Sequence, residues 1–238
     1  MINIGICIAI GLGIFILFSY LGFHWILALI IGNIAALVSF FILSKMIVKK
    51  ISAILEASNK EVSKNRMDQA ISIINNGFKY KNHHPFITSQ LNSQLGVIYY
   101  CKRDIKKAEI YLKKGISTHF IAQCMLANIY IKRNEIEKMD KVFKSTLRTN
   151  SKESFVWSMY AYCLDKAGKR DQAIAVLNKA QKKLPNDEKI KRNLRSLQNN
   201  QKVKMKSYKE IWPLIMQEKI IVKQKIRNPS RLRYQRAN

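Results

Sequence analysis

The stretch WSMYAYCLDKAGKRDQAIAVLNKAQKKLP, residues 157–185, decides the fold of this chain. Polar and apolar residues alternate in it with the period of a helix rather than that of a strand. Small residues stand at regular offsets, and one glycine and one proline punctuate the run. The marked positions are Trp157, Ala161, Leu164, Gly168, Ala173, Leu177, Ala180 and Pro185.

These offsets resemble those of the tetratricopeptide repeat family, whose 34-residue unit is a pair of antiparallel helices. The resemblance implies that Ala161 and Ala173 let the two helices touch, that Gly168 makes the turn between them, and that Pro185 ends the second helix. The motif is specific for structure because several offsets must agree. For function it implies only a scaffold that binds other proteins.

A single repeat cannot bury its own apolar face, so neighbouring repeats are expected. Earlier units match at Leu126, Ala127, Tyr130 and Phe143, with Met139 in place of the usual alanine, and at Leu95, Gly96, Tyr99, Ala108 and Leu112. A weaker unit contains Ile54, Ser58, Ala70, Ile74 and Gly77. The resemblance covers residues 51–185, as repeats at about 51–84, 89–119, 120–153 and 154–187. The first helix of the weakest repeat could simply continue the apolar segment that precedes it.

The first 44 residues contain no Lys, Arg, Asp or Glu, so all of the formal charge of +27 lies from Lys45 onward. Two apolar runs, residues 2–20 and 25–44, are each long enough to cross about 30 Å of hydrocarbon as a helix. A cleaved signal peptide fits poorly, because the N-terminus is uncharged and a second apolar run follows at once. We therefore predict a transmembrane helical hairpin over residues 1–48.

Charge predicts the orientation of this hairpin. Lys45, Lys49 and Lys50 follow the second apolar run, whereas the connecting loop carries no cation. The positive-inside rule then places both termini in the cytoplasm. The expected location is the plasma membrane or the bacterial inner membrane, with the repeats on the cytoplasmic side.

The two apolar runs carry ridges of small residues that would let helix backbones approach closely in lipid. The ridges are Gly5, Ala9 and Gly13 in the first run and Ala28, Gly32 and Ala36 in the second. A turn centred on residues 22 and 23 would set Gly13 opposite Gly32. The alternative, that such triplets arise by chance in membrane helices, stays open.

The family resemblance implies a binding groove on the concave surface, which the first helix of each repeat lines. Its offsets select Tyr100, Ile121, Asn128, Ile131, Lys132, Phe155, Ser158 and Tyr162. These residues alternate in aromatic, apolar and polar character, which suits an extended peptide or a helix from a protein partner. The alternative is that some of these residues only pack between repeats, which we expect for Ile121 and Phe155.

Residues 186–238 are predicted to form a capping helix and a basic amphipathic tail. Asn186 and Asp187 can cap a helix whose apolar stripe is Ile190, Leu194 and Leu197. The basic residues of the tail are Lys219, Lys223, Lys225, Arg227, Arg231, Arg233 and Arg236. The tail could pack on the repeats, which we expect for residues 212–222, or lie on anionic lipid, or bind an acidic partner.

Two functions remain open at this stage. The first is a membrane-anchored scaffold that binds proteins through the groove. The second is electrostatic binding of RNA, ribosomes or anionic lipid through the basic tail, which a pI of about 10.1 favours. Nucleic acid is the less expected partner, because the cations are spread along the helices and no recognised nucleic-acid motif is present.

The pattern of reactive residues argues against an enzyme. Cys7, Cys101, Cys124 and Cys163 lack metal-ligand spacing and are expected to be packing residues. The adjacent His83 and His84 have no carboxylate or cysteine set nearby, and there is no phosphate-binding glycine loop. We therefore predict an all-α protein, with two transmembrane helices and an α-solenoid closed by a capping helix, that has no catalytic residues, no metal and no cofactor.

Overall fold

The computed structural model describes residues 2–217, and all regular secondary structure within that range is helical. The fold class is the one predicted: two long apolar helices, then stacked helix pairs, then a closing helix. The helices are α1 Ile2–Tyr20, α2 Trp25–Ser63, α3 Met67–Gly77, α4 Ile87–Cys101, α5 Ile105–Lys113, α6 Phe120–Lys132, α7 Ile136–Thr149, α8 Ser154–Lys166, α9 Arg170–Lys183, α10 Glu188–Gln198 and α11 Ile211–Met216. Short 3₁₀ turns occupy Phe78–Tyr80 and Met205–Ser207.

The stretch at residues 157–185 forms the helix pair α8 and α9. Ala161 and Ala173 are completely buried between the helices, and Gly168 makes the turn with φ of 75°. The Trp157 indole Nε1 donates a hydrogen bond to the carbonyl of Ser151, 2.9 Å away, which fixes the start of α8 against the preceding pair. Pro185 follows the end of α9.

The same turn recurs after the first helix of every pair. Its left-handed residue is Asn65, Arg103, Asn134 or Gly168, with φ between 60° and 75°. In each turn the amide of this residue donates to the carbonyl three residues earlier, and the next amide donates to the carbonyl five residues earlier. This is the hydrogen-bond pattern that closes a helix C-terminus with a left-handed residue. The array is therefore a structural repeat even where its sequence has diverged.

Helix α2 joins the hairpin to the repeats without a break. It runs for 39 residues from Trp25 to Ser63, about 58 Å, so its C-terminal third serves as the first helix of the first pair. Ile47 and Ile51 already belong to the core of that pair, with Ile74 and Leu91. The expectation that the weakest repeat continues the apolar segment is confirmed, and the array is attached to the hairpin by rigid helix.

The hairpin packs through close backbone contact, but not in the predicted register. Gly11, not Gly13, meets the second helix: a Cβ atom on Gly11 would lie 2.9 Å from the carbonyl oxygen of Gly32 and 2.9 Å from the Ala36 Cβ. A Cβ atom on Gly5 or Gly13 would meet nothing within 4 Å. Two residues correspond to about 200° around a helix, so the predicted ridge on α1 faces away from α2.

Helices α1 and α2 are each long and apolar enough to cross a membrane. Their apolar windows are only 17% and 11% buried within the protein. Large apolar side chains such as Ile16, Leu37 and Phe41 are between 64% and 73% exposed. The hairpin thus presents a continuous apolar surface that no other described part of the chain covers.

Replacing Gly32 with leucine should open the hairpin, because its Cβ would lie 2.7 Å from the carbonyl oxygen of Gly11. Cys7 is 4% exposed on the same buried stripe of α1, so its reaction with a maleimide reports opening. We expect faster labelling of Cys7 in Gly32→Leu, measured by mass spectrometry in detergent micelles. Gly13→Leu is the matched control and should label at the wild-type rate; equal rates in both variants would contradict the packing.

His119 caps helix α6 by accepting a hydrogen bond from the amide of Ala122 at Nδ1, 3.3 Å away. Burial lowers the pKa of His119 below its usual value of 6.5. The stabilisation by this cap is therefore present above pH 6.5 and is lost as the pH falls through the lowered pKa. We expect the free energy of unfolding in urea to fall less between pH 7.5 and pH 5 in His119→Asn than in wild type, because asparagine keeps a capping oxygen that does not titrate. An equal fall in the two proteins would contradict this role of His119.

Candidate binding groove on the concave face

The face of the array formed by the first helix of each pair, which the family resemblance makes the concave one, is occupied by the C-terminal part of the chain itself. After α10 the chain makes the same left-handed turn at Asn200, with φ of 57°, but the next α-helix, α11, begins only at Ile211 and does not pair with α10. Residues 203–217 instead cross helices α8, α6 and α4 in that order. We call this stretch the groove segment. The expectation that the tail packs on the repeats from Trp212 onward is confirmed as far as Gln217.

Aromatic and aliphatic side chains anchor the groove segment. Tyr208, Trp212 and Ile215 are at most 7% exposed and belong to the same core as the repeats. The Tyr208 ring packs edge-on against Phe155, with centroids 5.1 Å apart, and the Trp212 ring packs edge-on against Tyr162 at 4.8 Å. Such pairs add to the stabilisation from burial itself.

A single backbone carbonyl is held at the end of α11. The carbonyl oxygen of Ile215 accepts hydrogen bonds from the Tyr100 hydroxyl at 2.5 Å and from the Asn128 Nδ2 at 3.0 Å. The Asn128 Nδ2 also donates to the Tyr100 hydroxyl oxygen at 2.7 Å. Gln217, just beyond, donates from Nε2 to the carbonyl of Tyr100 at 2.7 Å. A helix leaves its last carbonyls without partners, and the groove supplies donors for one of them.

A second polar cluster holds the beginning of the segment. The hydroxyls of Ser158 and Tyr208 hydrogen bond at 2.9 Å, and Asn193 Nδ2 donates to the Ser158 hydroxyl at 3.1 Å. Asn193 Oδ1 accepts from the backbone amide of Lys204 at 3.0 Å. Helices α4, α6, α8 and α10 thus each contribute one buried polar side chain to the groove.

The two groove tyrosines are neutral hydrogen-bonding groups. Burial raises the pKa of Tyr100 to about 12, although the hydrogen bond from Asn128 opposes the shift. Burial also raises the pKa of Tyr208 above its ordinary value. Both hydroxyls therefore keep their protons at neutral pH, and each can donate a hydrogen bond to an oxygen of the polypeptide it contacts.

Most of the groove residues selected from the sequence gather under this segment. Tyr100, Asn128, Phe155 and Ser158 are buried there, and Tyr162 lines its edge. The remaining members differ in position: Ile131 is 7% exposed within the core, Lys132 is exposed at the end of α6, and Ile121 is half-buried. Their role in binding a partner stays a prediction.

Three contributors to the groove were not selected from the sequence. Asn193 lies in the closing helix, where a polar residue inside the stripe of Ile190, Leu194 and Leu197 was the available signal. Tyr208 was treated as part of the tail rather than of the site. The backbone carbonyl and hydroxyl of Ser154 both accept from the Tyr208 hydroxyl, and a backbone group leaves no mark in sequence.

The tail does not continue as one helix through the groove. The sequence allows a single helical face with Ile211, Ile215, Val222 and Ile226, but α11 ends at Met216 and Gln217 is left-handed with φ of 54°. The basic tail residues from Lys219 to Arg236 lie outside the described residues, so their binding of lipid, RNA or an acidic partner stays a prediction.

The cysteines and histidines have packing partners rather than a shared site. Burial raises the pKa of the thiols of Cys101, Cys124 and Cys163, which keeps them protonated. The His83 Nδ1 lies 2.8 Å from the Asn3 Oδ1 at the start of α1. Within residues 2–217, no group of three or more His, Cys, Asp or Glu side chains could hold a metal ion.

No protein-family model matches the chain, and no curated protein matches it. Among solved structures, the chain is similar to the MamA RS-1 ArsTM double mutant, with a TM-score of 0.47 and 15% sequence identity. The match covers 71% of this chain and 93% of that one. At this level the likeness carries no information about partners or activity.

Removing the Tyr100 hydroxyl should loosen the end of the groove segment without disturbing the repeats. Tyr100→Phe deletes one donor to the Ile215 carbonyl, a loss of about 1 kcal/mol and so of about fivefold in protection. Hydrogen exchange of residues 211–216, measured by mass spectrometry, should accelerate by that factor. Tyr99→Phe, next to it on α4, is the control; equal acceleration in the two variants would contradict the assignment.

Proposed function

We propose that this chain is a membrane-anchored scaffold of the tetratricopeptide-repeat type, which binds a short segment of a protein partner in its concave groove. The observation that carries the proposal is the groove segment. The groove already holds residues 203–217 of the chain through buried aromatic side chains and through hydrogen bonds to a backbone carbonyl. The same contacts are available to any segment with a similar arrangement of side chains.

The groove contacts define the chemistry of the partner. Phe155 and Tyr162 offer aromatic faces, Tyr100 and Asn128 offer donors to a carbonyl at a helix end, and Ser158 offers a hydroxyl. The expected ligand is therefore a short helix with two aromatic residues one turn apart and an aliphatic residue near its C-terminal end. These buried polar groups all hydrogen bond to polypeptide, so the proposal assigns binding rather than catalysis to the site.

The partner must compete with the groove segment. Its apparent affinity is its intrinsic affinity multiplied by the fraction of molecules in which the groove is free. Trp212 and Ile215 are almost fully buried, so that fraction is small in the isolated chain. Binding is thus strongest for partners that also reach contacts outside the groove, such as the exposed Lys132 at its edge.

The membrane anchor in this proposal is the hairpin of α1 and α2, about residues 1–48. A core helix of a soluble protein is mostly buried, whereas these apolar windows are at most 17% buried. Exposed apolar surface of this extent is typical of contact with lipid or another apolar partner. With both termini in the cytoplasm, the repeats at about 51–185 and the closing helix lie at the cytoplasmic face.

The test uses the full chain in nanodiscs and a fluorescent peptide of residues 203–217 as the probe. Trp212→Ala should free the groove, because large-to-small changes in a core are strongly destabilising, and probe affinity should rise by about tenfold or more. Adding Asn128→Ala to that variant should lower the affinity again. Leu214→Ala, which removes a 37% exposed side chain from the same segment, is the matched control.

The scaffold role is tested in native membranes with a photoreactive residue in place of Tyr162. Crosslinks to other proteins should increase in the Trp212→Ala background relative to wild type and Leu214→Ala. A Trp212→Ala chain that fails to bind the probe, or crosslinks that stay within the chain in all backgrounds, would show that the groove is an internal contact only. If crosslinks to partners disappear when the salt concentration is raised but persist in Asn128→Ala, the result would favour electrostatic binding through the basic tail.

A further inference from the structure

The connector between the first two helix pairs, residues 78–86, lies against the open end of the hairpin. His83 in this connector hydrogen bonds to Asn3 near the beginning of α1, with 2.8 Å between Nδ1 and Oδ1. The Tyr80 and His83 rings pack at 6.2 Å, so the contact extends along the connector. The role proposed above for the hairpin and the groove makes no use of this connector.

The contact with Asn3 sets the depth of the connector relative to the hairpin. Asn3 lies at the opposite end of α1 from the turn at Gly22, and α1 is about 28 Å long. With that turn at the far side of a bilayer, Asn3 lies at the near side, at the level of Lys45, where the apolar part of α2 ends. The connector must then lie at the same surface.

The connector has the residue types that favour this depth. The Tyr80 ring lies under two lysines, with Lys50 Nζ 5.9 Å and Lys79 Nζ 5.1 Å from its centroid. Phe86 is 58% exposed, and its ring packs against His84 at 5.5 Å. Aromatic rings are enriched at the boundary between hydrocarbon and headgroups, where one part of the ring contacts apolar chains and another contacts water.

The positive charge of the connector and of the adjoining part of α2 indicates that the membrane surface they contact is anionic. Five exposed cations come from the connector and the adjoining turns of α2: Lys45, Lys49, Lys50, Lys79 and Lys81. No Asp or Glu occurs in residues 45–55 or 69–103. Near an anionic leaflet each such cation contributes about 1 kcal/mol. A neutral surface would leave this excess of positive charge without a partner.

From this arrangement we propose that residues 78–86 form a second membrane contact, which binds the anionic phospholipid headgroups of the bilayer that holds the hairpin. The proposal rests on the membrane anchoring described above. An acidic protein has matching charge, but the contact between His83 and Asn3 keeps the connector at the depth of the headgroups. Lipid therefore reaches it wherever the hairpin is inserted.

A second contact has a mechanical consequence. A solenoid attached by α2 alone could rotate about that helix. Contact at both α2 and the connector holds the array at one angle to the membrane, so the groove is presented in a constant direction.

The experiment uses the full chain in liposomes of phosphatidylcholine with phosphatidylglycerol that carries a photoreactive headgroup. After illumination, labelled peptides are identified by mass spectrometry. The test variant combines Phe86→Ser, Lys79→Gln and Lys81→Gln. The matched control combines Ile110→Ser, Lys106→Gln and Lys114→Gln, which instead removes a 53% exposed apolar residue and two exposed cations from α5 and the residue that follows it.

Wild type and control should label equally in residues 78–86, and the test variant should label about tenfold less. A second probe with its photoreactive group in the acyl chain should label α1 and α2 in all three proteins. Labelled helices without labelling of the connector would overturn the connector proposal and leave the anchor intact. If neither the connector nor α1 and α2 were labelled, the proposed membrane anchoring by the hairpin would be overturned as well. Equal labelling of the connector by a phosphatidylcholine probe would overturn the selectivity for anionic lipid.

Discussion

A pair of helices cannot bury its own apolar face, and the rest of this structure follows from that constraint. Each inner pair is covered by its neighbours, so only the ends and the concave surface need other partners. Helix α2 covers the first end while continuing from the hairpin, and α10 covers the last. The groove segment covers the concave surface, and its side chains belong to the same core as the repeats. Within residues 2–217 the repeats are thus covered by the chain itself, whereas the apolar surface of the hairpin is not.

The groove segment is held in a different way from α2 and α10, the helices at the two ends of the array. The end helices bury apolar stripes, whereas the groove segment is also held by polar side chains from four alternate helices, α4, α6, α8 and α10. Three of those side chains, from Tyr100, Asn128 and Asn193, bind backbone groups such as the carbonyl of Ile215, which every polypeptide possesses. Recognition of this kind specifies the shape of a ligand more than its sequence. The groove is therefore suited to holding the chain's own segment and to the proposed exchange with a partner.

Much of the architecture could be predicted from local sequence, because its signals are local. The period of the apolar residues identifies helices, the left-handed turn at Gly168 requires a residue without a Cβ atom or one that tolerates this conformation, and Asp187 caps α10 with its own side chain. The two membrane-length apolar helices are equally predictable, because each is a continuous run of apolar residues. The turns at Arg103 and Asn134 show the limit of such signals, because only the backbone reveals that they repeat the turn at Gly168.

The sequence by itself determined the helical class, the two apolar helices and the closing helix, because each depends on residues close together along the chain, and the repeated helix pairs followed from the resemblance of residues 157–185 to a 34-residue repeat. Only the tertiary structure decided that Gly11 rather than Gly13 meets Gly32, since a shift of two residues turns the ridge to the opposite face of α1. Only the tertiary structure decided that residues 203–217 fill the groove. That choice joins Tyr100 to Ile215 across 115 residues, and a contact so distant along the chain depends on the stacking of all the helices between them.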